Sequence, residues 1–178
     1  KKVLHKYKTA IVFLLHKGLN SDPKQFGVVQ TPDQITKGDK VMSAKDNIKL
    51  VQDMYEALNA QALDDHDKYW TEDMIWHGPP GFGDIHGREG FKYEVLKPFY
   101  TSFPDYHVVN EIEIADENWV AATGILTGTH QADWEGHAPT QKPVSMRFSD
   151  FWLVKDGKLT ENFVMVDNLA TLKNIGAT

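Results

Sequence analysis

The sequence contains no cysteine, which removes disulfides, thiol nucleophiles and thiolate-bound zinc or iron–sulfur clusters from consideration. No apolar run approaches the ~20 residues that cross a bilayer as a helix, so no membrane partner is expected. Positive charge is also scarce: 19 Lys and Arg stand against 25 Asp and Glu, giving a net charge of -6. Nucleic-acid binding depends on concentrated Lys and Arg, so no such partner is expected either. The chain also lacks Gly-x-Gly-x-x-Gly, a phosphate loop, His-Glu-x-x-His and Gly-x-Ser-x-Gly. Those absences remove the signatures of nucleotide, metalloprotease and serine-hydrolase chemistry. Cofactor-free chemistry or simple binding remains, in a chain whose 41% hydrophobic and 25% charged residues suit an ordinary soluble domain, for which a cytoplasmic location is the default expectation.

The first residues form a basic head and an apolar run, Ala10 to Leu15, ended by His16 and Lys17. That run is too short for a signal peptide and no small-x-small site follows it, so the segment is expected to be structure. Val3, Tyr7, Ile11 and Leu14 recur at helical spacing and Gly18 can stop the turn, which predicts an amphipathic helix. Residues 19–42, with Pro23, Pro32 and Gly38, read as a connecting loop. The expected division is an arm over 1–42 and a domain over 43–178.

Within the domain, Ser43 and Asp46 form a capping box ahead of Ile48, Val51, Tyr55 and Leu58 on one helical face. Asp64 to Trp70 reads as a short helix, and Met74 to His77 as a short strand halted by Gly78-Pro79-Pro80-Gly81. Phe91, Val95, Phe99 and Phe103 mark the inward stripe of a longer helix that Pro98 should kink. From His107 the period changes to two, predicting strands near 107–115, 118–131, 143–155 and 158–166 with turns at Asp116-Glu117-Asn118 and Asp156-Gly157. Asp167 can cap a last helix over 168–175 before Gly176. Helices followed by a meander predict an α+β fold, a curved antiparallel sheet packed on about three helices.

The candidate site comes from the faces of the last two strands, which share an inner side across the Asp156-Gly157 hairpin. Met146, Phe148, Asp150, Trp152 and Val154 occupy one face, with Arg147 on the other. A carboxylate on an apolar face is costly unless paired or protonated. Asp150 is therefore either a tuned acid–base group in a pocket or an acceptor for a core Tyr, Trp or Arg. On the last strand Asn162, Val164 and Val166 form one set, and Glu161, Phe163, Met165 and Asp167 the other. Among eight histidines, His77, His86, His130 and His137 stand at strand ends or in loops. His77 and His130 are the candidates to pair with Asp150, and Asn162 the candidate to steady a developing enolate. The histidine spacing is not a metal signature, so no metal is expected. Tyr55, Trp70, Phe99, Phe103, Phe148, Trp152 and Val164 are the candidate ligand-lining residues, suited to an apolar or aromatic small molecule.

The segment Gly128-Thr129-His130, continued by Pro139-Thr140-Gln141-Lys142-Pro143-Val144, resembles the "G-T-H … P-T-G-K-P-V" stretch of the SnoaL-like polyketide cyclases. Phe151 through Phe163 resembles their closing hairpin. Trp76-His77-Gly78-Pro79, His86-Gly87-Arg88-Glu89-Gly90 and Phe103-Pro104-Asp105 resemble their front half, in the same order. The resemblance spans about residues 43 to 176. It implies the nuclear-transport-factor-2-like (cystatin-like) cone, a homodimer or higher homo-oligomer, and a cofactor-free intramolecular aldol closure of a polyketide ester. It also implies an acid–base carboxylate on the last strand, whose place is taken here by Val164. Asp150 stands where the cyclases carry a partner histidine on the neighbouring strand. Either the carboxylate has moved one strand over, or the function differs: an isomerase, an ester cyclase, or a non-catalytic binding module of the same fold.

Overall fold

The computed structural model describes residues 42–177. The expected N-terminal helix and the loop as far as Val41 lie outside the described residues.

Helix α1, Ala44–Asn59, begins where Ser43 Oγ accepts from the Asp46 N–H at 3.2 Å. The same hydroxyl donates to Asp46 Oδ2 at 2.7 Å, so two otherwise unpaired groups of the first turn are satisfied. Val51, Met54 and Tyr55 are buried on its inner face. Two amides fasten it to the sheet. Asn47 Nδ2 donates to the Glu117 carbonyl at 3.0 Å, and Asn59 bonds both the N–H and the carbonyl of Val108.

A 3₁₀ helix follows at Leu63–Lys68, then strand β1, Trp70–His77. The strand starts earlier than the sequence suggests, with Trp70 opposite Leu159, because a bulge between Trp70 and Ile75 accommodates Glu72 and Asp73 in solvent. Strand β2 is Asp84–His86. Helix α2 runs through three segments: α-helical Arg88–Gly90, π-helical Phe91–Leu96 and α-helical Lys97–Ser102. Pro98 stands in the first turn of the last segment, directly after the π turn. A wider turn upstream relieves the proline ring of its clash with the carbonyl four residues back and suits a residue without an N–H.

The four later strands fall where the alternation places them: β3 His107–Asp116, β4 Trp119–Thr129, β5 Pro143–Lys155 and β6 Lys158–Val166. Asp167 then caps α3, Asn168–Ile175, by accepting from the Ala170 N–H at 2.9 Å. The sheet order is β2-β1-β6-β5-β4-β3. One pairing departs from the expected antiparallel sheet, since β1 lies parallel to β6. Helix α2 carries the chain from β2, at one edge, to β3 at the other, and the meander then returns strand by strand to β1.

The curved sheet packs its inner face on α1 and α2 around Trp70, Met74, Phe91, Val120, Met146 and Trp152. Gly124 permits the tightest approach: a Cβ there would stand 2.0 Å from the Val109 carbonyl oxygen and 2.9 Å from the Phe148 ring. The bulge between Asn110 and Ile112 lies beside it and bends β3. Among the described residues no helix is long and apolar enough to cross a membrane.

Candidate active site

Between the inner face of the sheet and the two long helices lies a cavity of about 200 Å³. Strands β5 and β6 present Met146, Phe148, Asp150 and Trp152 beside Asn162, Val164 and Val166. Met54, Tyr55 and Leu58 of α1 form one wall, and Phe91, Val95 and Phe99 of α2 another. The alternation of the strands aims these side chains inward, while Phe151, Phe163 and Met165, one residue out of phase, are exposed on the outer face.

Asp150 is the acidic group that the described strands contribute to the cavity lining. On the sheet it stands across from Ala122 of β4 and Val164 of β6. The Tyr55 hydroxyl donates to its Oδ2 at 3.3 Å, whereas Oδ1 has no hydrogen-bond partner and no accessible surface. Burial pushes the Asp150 carboxyl up to about 8, with the bond from Tyr55 pulling weakly the other way. Burial, followed by the charge of Asp150, holds the Tyr55 phenol well above its ordinary value, so Tyr55 remains a donor. The Tyr55 ring is fixed edge-on to Trp152 at 5.6 Å and against Phe148 at 6.0 Å. A carboxyl that changes charge near neutral pH can both take and return a proton.

Asn162 joins Asp150 in the cavity wall, opposite Trp152 in register. With its amide turned to satisfy both atoms, its oxygen accepts from the Trp152 indole N–H at 3.3 Å. Its polar capacity is thus directed to holding that ring. Trp70, Phe99, Phe148, Trp152 and Val164 also line the cavity, as does Tyr55.

The structure does not bring the other candidates there. His77 alternates with the inward Trp76 and lies on the outer face, between Asp84 Oδ1 at 3.0 Å and Glu161 Oε2 at 3.4 Å. Its ring stacks on Phe163 at 4.1 Å. His130 is fully buried but outside the lining, with Nδ1 3.2 Å from Thr140 Oγ1 and its ring against Phe103. Its backbone pairs with Lys142 and Gln141, so it anchors the loop that presents Trp134. Phe103 is likewise fully buried behind the wall, supporting Phe99 and Trp134 at 5.0 and 5.2 Å.

Several lining residues were not evident from sequence. Phe82 and Trp134, ring centroids 6.0 Å apart, come from two loops. Glu94 comes from the π turn, Asn168 from the start of α3, and Tyr106 from the corner before β3. Loops and helix irregularities carry no period from which to read their direction. Among the described residues no three His, Asp or Glu side chains converge as a metal site requires.

The family model described as SnoaL-like polyketide cyclase matches residues 49–175. Among solved structures, IdmH from Streptomyces antibioticus, a provisionally assigned polyketide cyclase, is 26% identical with a TM-score of 0.65. The match covers 73% of this chain and 98% of that one. AclR from Streptomyces galilaeus, a provisionally assigned hydroxylase, shares the fold at 23% identity and a TM-score of 0.68, over 76% of this chain and 84% of its own. A provisionally assigned SnoaL-like polyketide cyclase from Jannaschia sp. CCS1 shares it at 19% identity and a TM-score of 0.70, over 76% and 94%. No curated protein sequence matches this chain.

Proposed function

Because the chain belongs to the SnoaL-like polyketide cyclase family, we propose that it is a cytoplasmic, cofactor-free acid–base enzyme acting on an apolar carbonyl compound, with residues 1–42 as a separate arm. Asp150 is its proton-transfer group. The ionised carboxyl takes a proton from the carbon beside a carbonyl, and the C–H electron pair becomes the double bond of an enolate. Returning the proton to another carbon gives isomerisation, and attack of the enolate on a second carbonyl gives ring closure.

The observation that carries this reading is the Asp150 carboxyl in the wall of an apolar cavity, one oxygen held by Tyr55 and the other without a partner. Its place across from Val164 supports a carboxylate moved one strand over rather than lost. Side chains on such a pair start about 5 Å apart and share a face. The test is solvent-deuterium incorporation into cyclic ketones and β-keto esters, followed by mass spectrometry. Asp150→Asn should abolish incorporation with the fold intact. Undiminished incorporation by that variant would overturn the assignment.

A non-catalytic binding module is the second reading, favoured by Val164 and by the hydrocarbon that dominates the lining. It predicts saturable quenching of tryptophan fluorescence by the same compounds with no deuterium incorporated. Under either reading we propose a homodimer through the outer face of the sheet. There Ile114, Ala121, Phe151 and Phe163 follow one another across four strands, with Ile112 and Met165 exposed nearby.

A further inference from the structure

We propose that the cavity takes an apolar compound with a protonated amine at the end left at its mouth, and that Glu94 is the counter-ion that selects it. This rests on the reading of the Asp150 cavity as the ligand site and names the class of compound that enters it. The charged residues of the lining are Glu94 and Asp150, both acids, and among the described residues no Lys, Arg or His joins them. Burial pushes the Asp150 carboxyl up to about 8 and so keeps it mostly uncharged at neutral pH. The standing charge of the lining is therefore that of Glu94.

Glu94 stands where an acid is least expected. It belongs to the π-helical segment of α2, on the side that gives Phe91, Val95, Pro98 and Phe99 to the cavity. A helix packed by an apolar stripe carries its charges on the opposite face. Glu94 is instead part of the lining and exposed to solvent, which places it at the mouth. The lysines closest to it in the chain are turned to other partners. Lys92 is buried against Asp67 at 3.1 Å and Glu89 at 3.2 Å, and Lys97 lies over the Tyr93 ring at 5.7 Å. Among the described residues Glu94 has no salt-bridge partner.

The aromatic residues there have the same preference. Phe82, 40% exposed, stands 6.0 Å from Trp134, which meets Phe99 at 5.4 Å. The faces of such rings are electron-rich and attract cations. Glu135, next to Trp134 in the chain, accepts from the lining residue Asn168 at 3.3 Å and adds a second acid. A carboxylate arriving here would give up water against aromatic rings and meet no positive charge. An ammonium would face Glu94 and the rings while its outer side stays hydrated, which avoids the cost of a fully buried ion. The carbon skeleton then fills the cavity with its carbonyl toward Asp150.

The experiment titrates the full chain by calorimetry with three naphthalenes that differ in head group: 2-naphthylmethylamine, a cation at neutral pH, 2-naphthylmethanol, neutral, and 2-naphthoate, an anion. The wild type should bind the amine about tenfold or more tightly than the carboxylate, with the alcohol between them. Added salt should shrink that ratio. Glu94→Gln should narrow it severalfold, and Glu94→Lys should reverse the order. Each ratio is taken within one protein, so a general loss of affinity cancels. Amine and carboxylate bound equally by the wild type, the carboxylate bound more tightly, or a ratio untouched by both Glu94 substitutions would overturn the proposal. A preference removed by Asp150→Asn but not by Glu94→Gln would put the amine inside the cavity and overturn the role of Glu94. A wild type that binds none of the three overturns it too. None of these probes has an exchangeable hydrogen on a carbon beside a carbonyl. The acid–base reading is therefore decided separately, by deuterium incorporation into ketones and its loss in Asp150→Asn.

Discussion

Raising the pH should destabilise this domain through Asp150. Its carboxyl has an ordinary value of 3.8 and stands at about 8 in the folded protein. Across that span of about four pH units the folded state holds a proton that the unfolded chain has released, so folding is penalised as pH rises. The contribution is fully present below the ordinary carboxylate range, declines steadily toward the folded value, and is flat above it. At about 1.4 kcal/mol per pH unit the whole span amounts to on the order of 5 kcal/mol, comparable with the net stability of many domains. Admission of water to the cavity on ionisation would reduce this, so it is an upper value. The assay is urea unfolding of wild type and Asp150→Asn between about pH 5 and about pH 9. The amide stays neutral throughout. Groups such as Glu135, raised by burial, and Asp105, lowered by Thr129, contribute to both proteins and cancel in the difference. The wild type should lose stability relative to the variant by several kcal/mol as pH rises. Parallel curves would show that Asp150 ionises freely in the folded state, and the tuning argued from its burial would be refuted.

Removing the hydroxyl in Tyr55→Phe takes a donor from Asp150 Oδ2. The carboxyl should titrate roughly one pH unit higher, and the alkaline rise of deuterium exchange should move with it. An unmoved profile would deny the bond its role. Gly124→Ala should cost several kcal/mol, because its methyl would meet the Val109 carbonyl with no flexible side chain to yield; a thermal melt within a few degrees of wild type would contradict this. Phe151→Lys, a change on the exposed outer face, should convert a dimer to a monomer in light scattering without altering ligand affinity. An unchanged mass would rule out that face as the interface.

Much of this was legible because strands write their faces into the sequence. Alternation and the Asp156-Gly157 turn located β3 to β6, and the odd carboxylate on an apolar face located Asp150. The same alternation separates Trp76 from His77, so the outward direction of His77 was available in the sequence once the strand was extended back to Trp70. His130 shares the inward phase of Leu126 and Gly128, but phase does not reveal depth, and the ring ends beneath Phe103. Strand β1 was foreshortened because Glu72 and Asp73 interrupt its pattern at a bulge. The Tyr55–Asp150 bond joins α1 to β5 across most of the domain, and no local period encodes such a meeting. Tyr106 was hidden for a different reason, since it sits at a corner between two periodic segments.

Asp150 and Val164 occupy one rung of the sheet, yet an alignment assigns them to two distant columns. Residues of one rung share a face with side chains about 5 Å apart, so on the reading proposed for Asp150 a functional group can change column and still reach the same cavity. Surveys of this family that score the last-strand column alone will count such a chain as empty. Scoring the rung instead would keep it, and would make the reciprocal exchange, Asp150→Val with Val164→Asp, a natural substitution to look for among its relatives.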